Sequence, residues 1–276
     1  MKILQILYMS MKFPAKNLTL SMAFFVVKWV AFSQEKEVME ALTTDRPDQT
    51  ESANLVPKGF LQLETGAAYE SFNNYSIKTE YVTYNTTLVR YGLLNNLELR
   101  LGWDFVETKM NSQNPKDKLS GFNPLLLGIK TSIAKEKDWF PEIALLGHLY
   151  LPFMAGSDYK PNTTGIDFRF AFAHTLSEKS SLSYNLGATW GNDSPEASYA
   201  YTIAYGHSLN KKIGAYIEIY GDFPENSKAK HLWDAGFTYL ISNNFQLDAT
   251  VGTSITKGPD LLLSAGESFR IPTKKK

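Results

Sequence analysis

Charged side chains fall two residues apart in several places: Glu98 and Arg100 with Asp104 beyond them, and Asp167 with Arg169. The lone carboxylates Asp234 and Asp248 follow later in the chain. Ions at i and i+2 share one face of a strand, so each set can pair internally or with an adjacent strand. This chemistry places charge, lining a polar space or orienting a solute, rather than making bonds. Bond-making residues are sparse. The absence of cysteine excludes disulfides, thiolate zinc sites, cysteine nucleophiles and a lipid-modified N-terminal cysteine. The four histidines read His148-Leu-Tyr, His174-Thr-Leu, His207-Ser-Leu and His231-Leu-Trp, and none has the serine two residues on that a local His–Ser hydrolase pair needs. His148 falls on the polar face of its strand, while His174 and His207 fall on the apolar face near turns. No H-E-x-x-H, G-x-S-x-G or P-loop is present, and residues 158–164 lack calcium-ligand spacing. The expectation is no catalytic residue, no metal and no cofactor.

The elements that hold these ions are strands. The stretch TGIDFRFAFAHTLS, residues 164–177, sets Ile166, Phe168, Phe170 and Phe172 against Asp167, Arg169, Ala171 and Ala173. The same alternation runs through segments 59–71, 79–91, 96–108, 120–133, 141–153, 164–176, 181–191, 198–209, 212–223, 231–242, 245–256 and 260–271, about twelve strands. No window after Gln34 holds the 18 or so apolar residues of a spanning helix. At zero formal net charge and 20% charged residues, nothing favours nucleic acid as a partner.

Such alternation suits a half-buried soluble sandwich or, inside out, a membrane barrel. Three features favour the barrel. Twelve residues at about 3.3 Å each, tilted about 40°, span roughly 30 Å, whereas ordinary strands run to about five or six residues. Connectors alternate between short ones (94–96, 177–180, 210–212, 242–244) and mostly longer, polar ones (109–119, 154–163, 192–197, 225–230), with 134–140 a longish member of the short set. Aromatics make up 13% of the chain, and Trp103, Tyr150, Tyr159, Trp190, Tyr199, Trp233 and Tyr239 lie near segment ends, where interfacial girdles belong. The expected fold is all-β: a single antiparallel up-and-down transmembrane β-barrel of about twelve strands, its ionic faces turned inward. Glu64, Glu70, Glu142, Glu218 and Asp222 share those faces.

The N-terminus reads as an export signal over residues 1–33. Lys12 and Lys16 precede an apolar run, and Ala31-Phe-Ser33 suits cleavage before Gln34. Met11 is an alternative start. Residues 34–58 form a polar lead-in and 59–272 the barrel. Within that lead-in, Thr43-Thr-Asp-Arg-Pro-Asp-Gln-Thr-Glu-Ser52 is followed by Val56-Pro-Lys-Gly-Phe60-Leu-Gln-Leu-Glu64-Thr-Gly66. This resembles the outer-membrane "MetA-pathway of phenol degradation" family of transporters, in which a DRPD-x-TES-like segment precedes a VPKG-x-x-Q-x-E first strand. The resemblance is specific over about 44–66. It implies an exported barrel for uptake of small, often apolar compounds, in contact with outer-membrane lipid in a Gram-negative bacterium.

Asp45, Arg46, Asp48 and Glu51 are too dense for lipid contact. One expectation folds them into the lumen as a plug or gate, pairing with Arg100 or Arg169. The other leaves them as a solvated lead-in whose Pro47 and Pro57 stiffen the entry to the first strand. The leading functional expectation is a channel for a small, apolar or aromatic solute, with Glu98, Arg100, Asp104, Asp167, Arg169, Asp234 and Asp248 lining the lumen. Its rivals are a non-conducting structural or adhesive barrel and an exported soluble β-sandwich.

Overall fold

Period-two alternation over ten or more residues per segment, in a chain without helical periodicity, leaves closure of the sheet as the way to satisfy every backbone group in lipid. The computed structural model describes residues 39–74, 77–111, 118–191 and 193–273; the expected signal segment lies outside them. The strands are β1 (Phe60–Asn74), β2 (Ile77–Leu94), β3 (Leu97–Met110), β4 (Lys118–Phe122), β5 (Leu125–Ala134), β6 (Glu142–Leu151), β7 (Gly165–Ser177), β8 (Ser180–Gly191), β9 (Ser194–Ser208), β10 (Ile213–Pro224), β11 (Lys230–Ser242), β12 (Phe245–Ser254) and β13 (Leu261–Pro272). All pairings between these strands are antiparallel. Each long strand pairs with its chain neighbours, and β1 pairs with β13 from Phe60↔Pro272 to Ser71↔Leu261, which closes the ring.

The expected segment 120–133 is two strands. β5 pairs with the first part of β3 (Leu97–Gly102) and β4 with its last part (Phe105–Lys109), so both occupy one of twelve positions. The break falls at Asn123-Pro124, because Pro124 has no N–H for the ladder. Asn123 instead bonds Asp104 through both its backbone and its side chain. A second difference concerns 192–197, read above as a long connector. β9 already begins at Ser194, because Ser-Pro-Glu-Ala-Ser continues the alternation. Asp193, at φ 70°, turns the chain, and its carboxylate accepts hydrogen bonds from Asn162 and Thr163 in the β6–β7 loop.

Ile166, Phe168 and Phe170 are exposed on the outside, whereas Asp167 and Ala171 are buried within. The aromatic expectation holds for the exposed Trp190, Tyr199, Trp233 and Tyr239. It fails for Tyr150, whose hydroxyl donates to the inward Asp167, and for Tyr159, which bonds Thr108 on the inner face of β3. Nearness to a strand end does not reveal which way a tyrosine points.

Candidate functional site in the barrel lumen

The inward positions near the rim of short turns form one continuous ionic network with residues 43–56, which make no strand. Asp45 is its centre. Its carboxylate lies 2.6 Å from Arg100 Nη1, 2.9 Å from Lys130 Nζ and 3.1 Å from Arg90 Nη1. Arg90 also binds Glu64 and Glu98, each at 2.8 Å, and Arg100 binds Glu51 at 2.8 Å and Glu98 at 3.1 Å. Arg90, Arg100 and Lys130 are buried, so each needs these partners; an isolated buried ion costs several kcal/mol. Burial alone would raise the Asp45 carboxyl, but the charges of Arg90, Lys130 and Arg100 outweigh it and hold it well below the usual carboxylate range.

The backbone of the same segment is satisfied by wall side chains. Asp45 N donates to Glu64, Gln49 N to Glu218, Glu51 N to Asn185 and Val56 N to Glu98. Thr50 Oγ1 donates to Glu218 in a short hydrogen bond, and Lys130 Nζ reaches Ser52 O at 2.9 Å. Ala53 packs with Ala144, Leu146 and Ala171. Arg46 reaches β12 and β2, 2.9 Å from Asp248 Oδ1 and 2.9 Å from Thr86 Oγ1. Its guanidinium lies against Gly66 and Gly266, which face each other across β1 and β13; a Cβ at either would come within 2.7 Å of Arg46 Nη2. Arg46 could shift, but the Cβ would also run into the backbone carbonyls of Ala265 and Thr65, which cannot, so glycine is needed at both positions.

Each residue expected in the lumen faces inward, but the pairings differ from expectation. Glu98 and Arg100 pair as anticipated, whereas Asp104 takes Asn123 instead of an arginine. Asp167 accepts from His148 Nδ1 at 2.8 Å and Tyr150 at 3.1 Å, with Arg169 Nε 3.8 Å away. Arg169 makes no ion pair with residues 43–56 among the described residues; Asp45 and Glu51 take Arg100, and Arg46 takes Asp248. Asp234 is fully buried, and neither carboxylate oxygen has a hydrogen-bond partner among the described residues. Arg90 and Lys130 were not anticipated. Their signal was a single cation at the inward parity of an apolar segment, Leu88-Val-Arg90-Tyr and Leu127-Gly-Ile-Lys130.

Asp48 stands in a different field. Burial first, then the neighbouring Glu218 and Asp234, push its carboxyl well above the usual range. Its raised value makes the docked position favourable in acid, and this contribution is lost as pH rises through that value. Asp45 has the opposite sign: its contribution is present above the ordinary carboxylate value and lost only as pH falls through its depressed one. Thiol labelling of Ser52→Cys, as a ratio to the exposed Lys257→Cys, is therefore expected to be faster at about pH 8 than at about pH 5. An unchanged ratio would contradict this account of Asp48.

Solved structures share this architecture. The COG4313 outer membrane channel from Pseudomonas putida F1 matches with a TM-score of 0.62 at 13% identity, covering 87% of this chain and 100% of that one. The transport unit of the autotransporter AIDA-I from Escherichia coli matches with a TM-score of 0.50 at 8% identity, over 93% and 98% of the two chains. At these identities the likeness is one of fold, that of an outer-membrane β-barrel. A comparison with curated proteins finds no match. The family described as "Putative MetA-pathway of phenol degradation" matches residues 44–271, from the Asp45–Asp48 segment through the last strand, and the chain belongs to it.

Proposed function

We propose that this barrel is an outer-membrane channel for a small solute, apolar or aromatic in part, and that residues 43–56 are its plug. The observation that carries the reading is the division of the lumen. Near the short-turn rim, which in such barrels faces the periplasm, the ions are buried and paired with the segment. Toward the long-loop rim Glu70, Asp104, Arg169, Tyr220 and Asp222 are half-exposed. A network held by ion pairs can be undone by a competing partner or a change of charge, which suits a gate better than a permanent core. No enzymatic role is assigned.

The test is conductance of the purified chain in planar bilayers, with Arg169→Ala compared. Brief, small openings are expected from the plugged barrel, with an altered unit conductance in the variant, because Arg169 is a half-exposed cation on the path. No current from either protein under any condition favours a structural or adhesive barrel.

A further inference from the structure

The charges of the lumen are sorted by depth. In the plugged half Glu64, Glu98 and Asp248 each have a cation within 2.9 Å. In the other half Glu70, Asp104, Asp222 and Asp234 have no ion pair among the described residues. Among the described strand residues of that half the inward cations are Arg169, which lies 3.8 Å from Asp167, and the exposed Lys230 at the rim.

The excess is most concentrated on β10 and β11. Tyr216, Glu218 and Tyr220 are consecutive inward residues of β10, and the register sets Asp234 directly opposite Glu218. Two carboxylates thus lie side by side between two phenol rings. Tyr216 OH shares a 2.8 Å hydrogen bond with Thr250 Oγ1, and Glu218 accepts from Gln49 N and Thr50 Oγ1 of the plug. Asp234 is buried near Tyr216 and the plug's Asp48, and neither of its oxygens makes a hydrogen bond of ordinary geometry among the described residues. A buried carboxylate without a partner is rare and calls for one. Directly above it toward the long-loop rim lie Tyr220 and Leu232, both half-exposed.

We propose that this cluster is a binding site for the ammonium group of a small organic amine, held by Asp234 and Glu218 with its apolar part against Tyr216 and Tyr220. A carboxylate pair supplies charge and hydrogen-bond acceptors, and tyrosine faces attract a cation at close range. An organic cation fits better than a metal ion, since no group of three His, Asp or Glu disposed to hold a metal occurs among the described residues. Thr50 and Gln49 share Glu218 with the site, so occupancy bears directly on the plug. The inference rests on the lumen being a solute path, and it narrows that solute to an amine.

The test reads binding rather than current. Detergent-purified full chain is titrated calorimetrically with benzylammonium, benzyl alcohol and benzoate. Benzylammonium is expected to bind at least about tenfold more tightly than benzyl alcohol, the scale of a desolvated cation between aromatic faces, with no binding of benzoate. The preference should vanish in Asp234→Asn and persist in Asp260→Asn, a loop acid. Heat-modifiable gel migration verifies folding, and Tyr220→Leu, expected to weaken benzylammonium alone, serves if Asp234→Asn fails to fold. Equal affinity for amine and alcohol, no binding of either, or an undiminished preference in both Asp234→Asn and Tyr220→Leu overturns the proposal. A silent bilayer with the amine preference intact rejects the channel and leaves the site; current without the preference does the reverse.

Discussion

Asp45→Ala is expected to release the N-terminal segment and raise channel conductance severalfold. The carboxylate faces three buried cations at 2.6–3.1 Å. Removing it leaves Arg90 with Glu64 and Glu98, and Arg100 with Glu98 and Glu51, but among the described residues Lys130 keeps the Ser52 carbonyl and, as its one carboxylate, Glu51 at 3.9 Å. Loss of one partner from a buried ion pair costs about 3–5 kcal/mol, enough to shift a two-state equilibrium by roughly 10²- to 10⁴-fold. That cost falls on the docked state alone, since in the undocked state water solvates the three cations. Two readouts should move together: the open fraction in planar bilayers, and labelling of Ser52→Cys in the Asp45→Ala background. A barrel that stays closed and unlabelled would show that Arg46–Asp248, Glu51 and the backbone bonds suffice, and that Asp45 is not the latch.

The second large effect lies on the opposite face of the wall. Phe170 is outward and near the middle of β7, beside the inward Arg169. Phe170→Arg should lose about 2–4 kcal/mol of folding stability in vesicles, the cost of a cation on the lipid face near the bilayer midplane. Phe170→Leu should lose far less, because it keeps an apolar surface there. Urea unfolding in lipid vesicles measures both. If the arginine variant matched the leucine variant, the outward face of β7 would not be in acyl chains, and the orientation of every strand would need inverting. The paired contrast matters because Arg169, one residue away, is accommodated inside: a shift of one position along a strand exchanges water for lipid.

How much of this could be read without coordinates differs between the wall and its contents. The twelve positions, their lengths and the inward parity of Glu98, Arg100, Asp167, Asp234 and Asp248 follow from alternation, a local property that survives in any register. Even the misread places are local. Pro124 marked the break between β4 and β5, and the alternation in Ser194–Ser198 marked the early start of β9. The side on which Tyr150 lies could also have been read from its parity with His148.

Partner choice could not. Asp45 meets Lys130, 85 residues away, and Arg46 meets Asp248, 202 residues away. Those contacts depend on ring closure between β1 and β13 and on the path of residues 43–56 across the lumen, so no spacing along the chain encodes them. For the same reason Arg90 and Lys130 were not anticipated, and the unpaired state of Asp234 was invisible. The alternating sequence determined that one face of each strand would be ionic and the other greasy, because successive side chains must point opposite ways. Only the closed barrel decided which ions meet, because enclosing them at one depth removes water and leaves each charge the neighbours that closure brings.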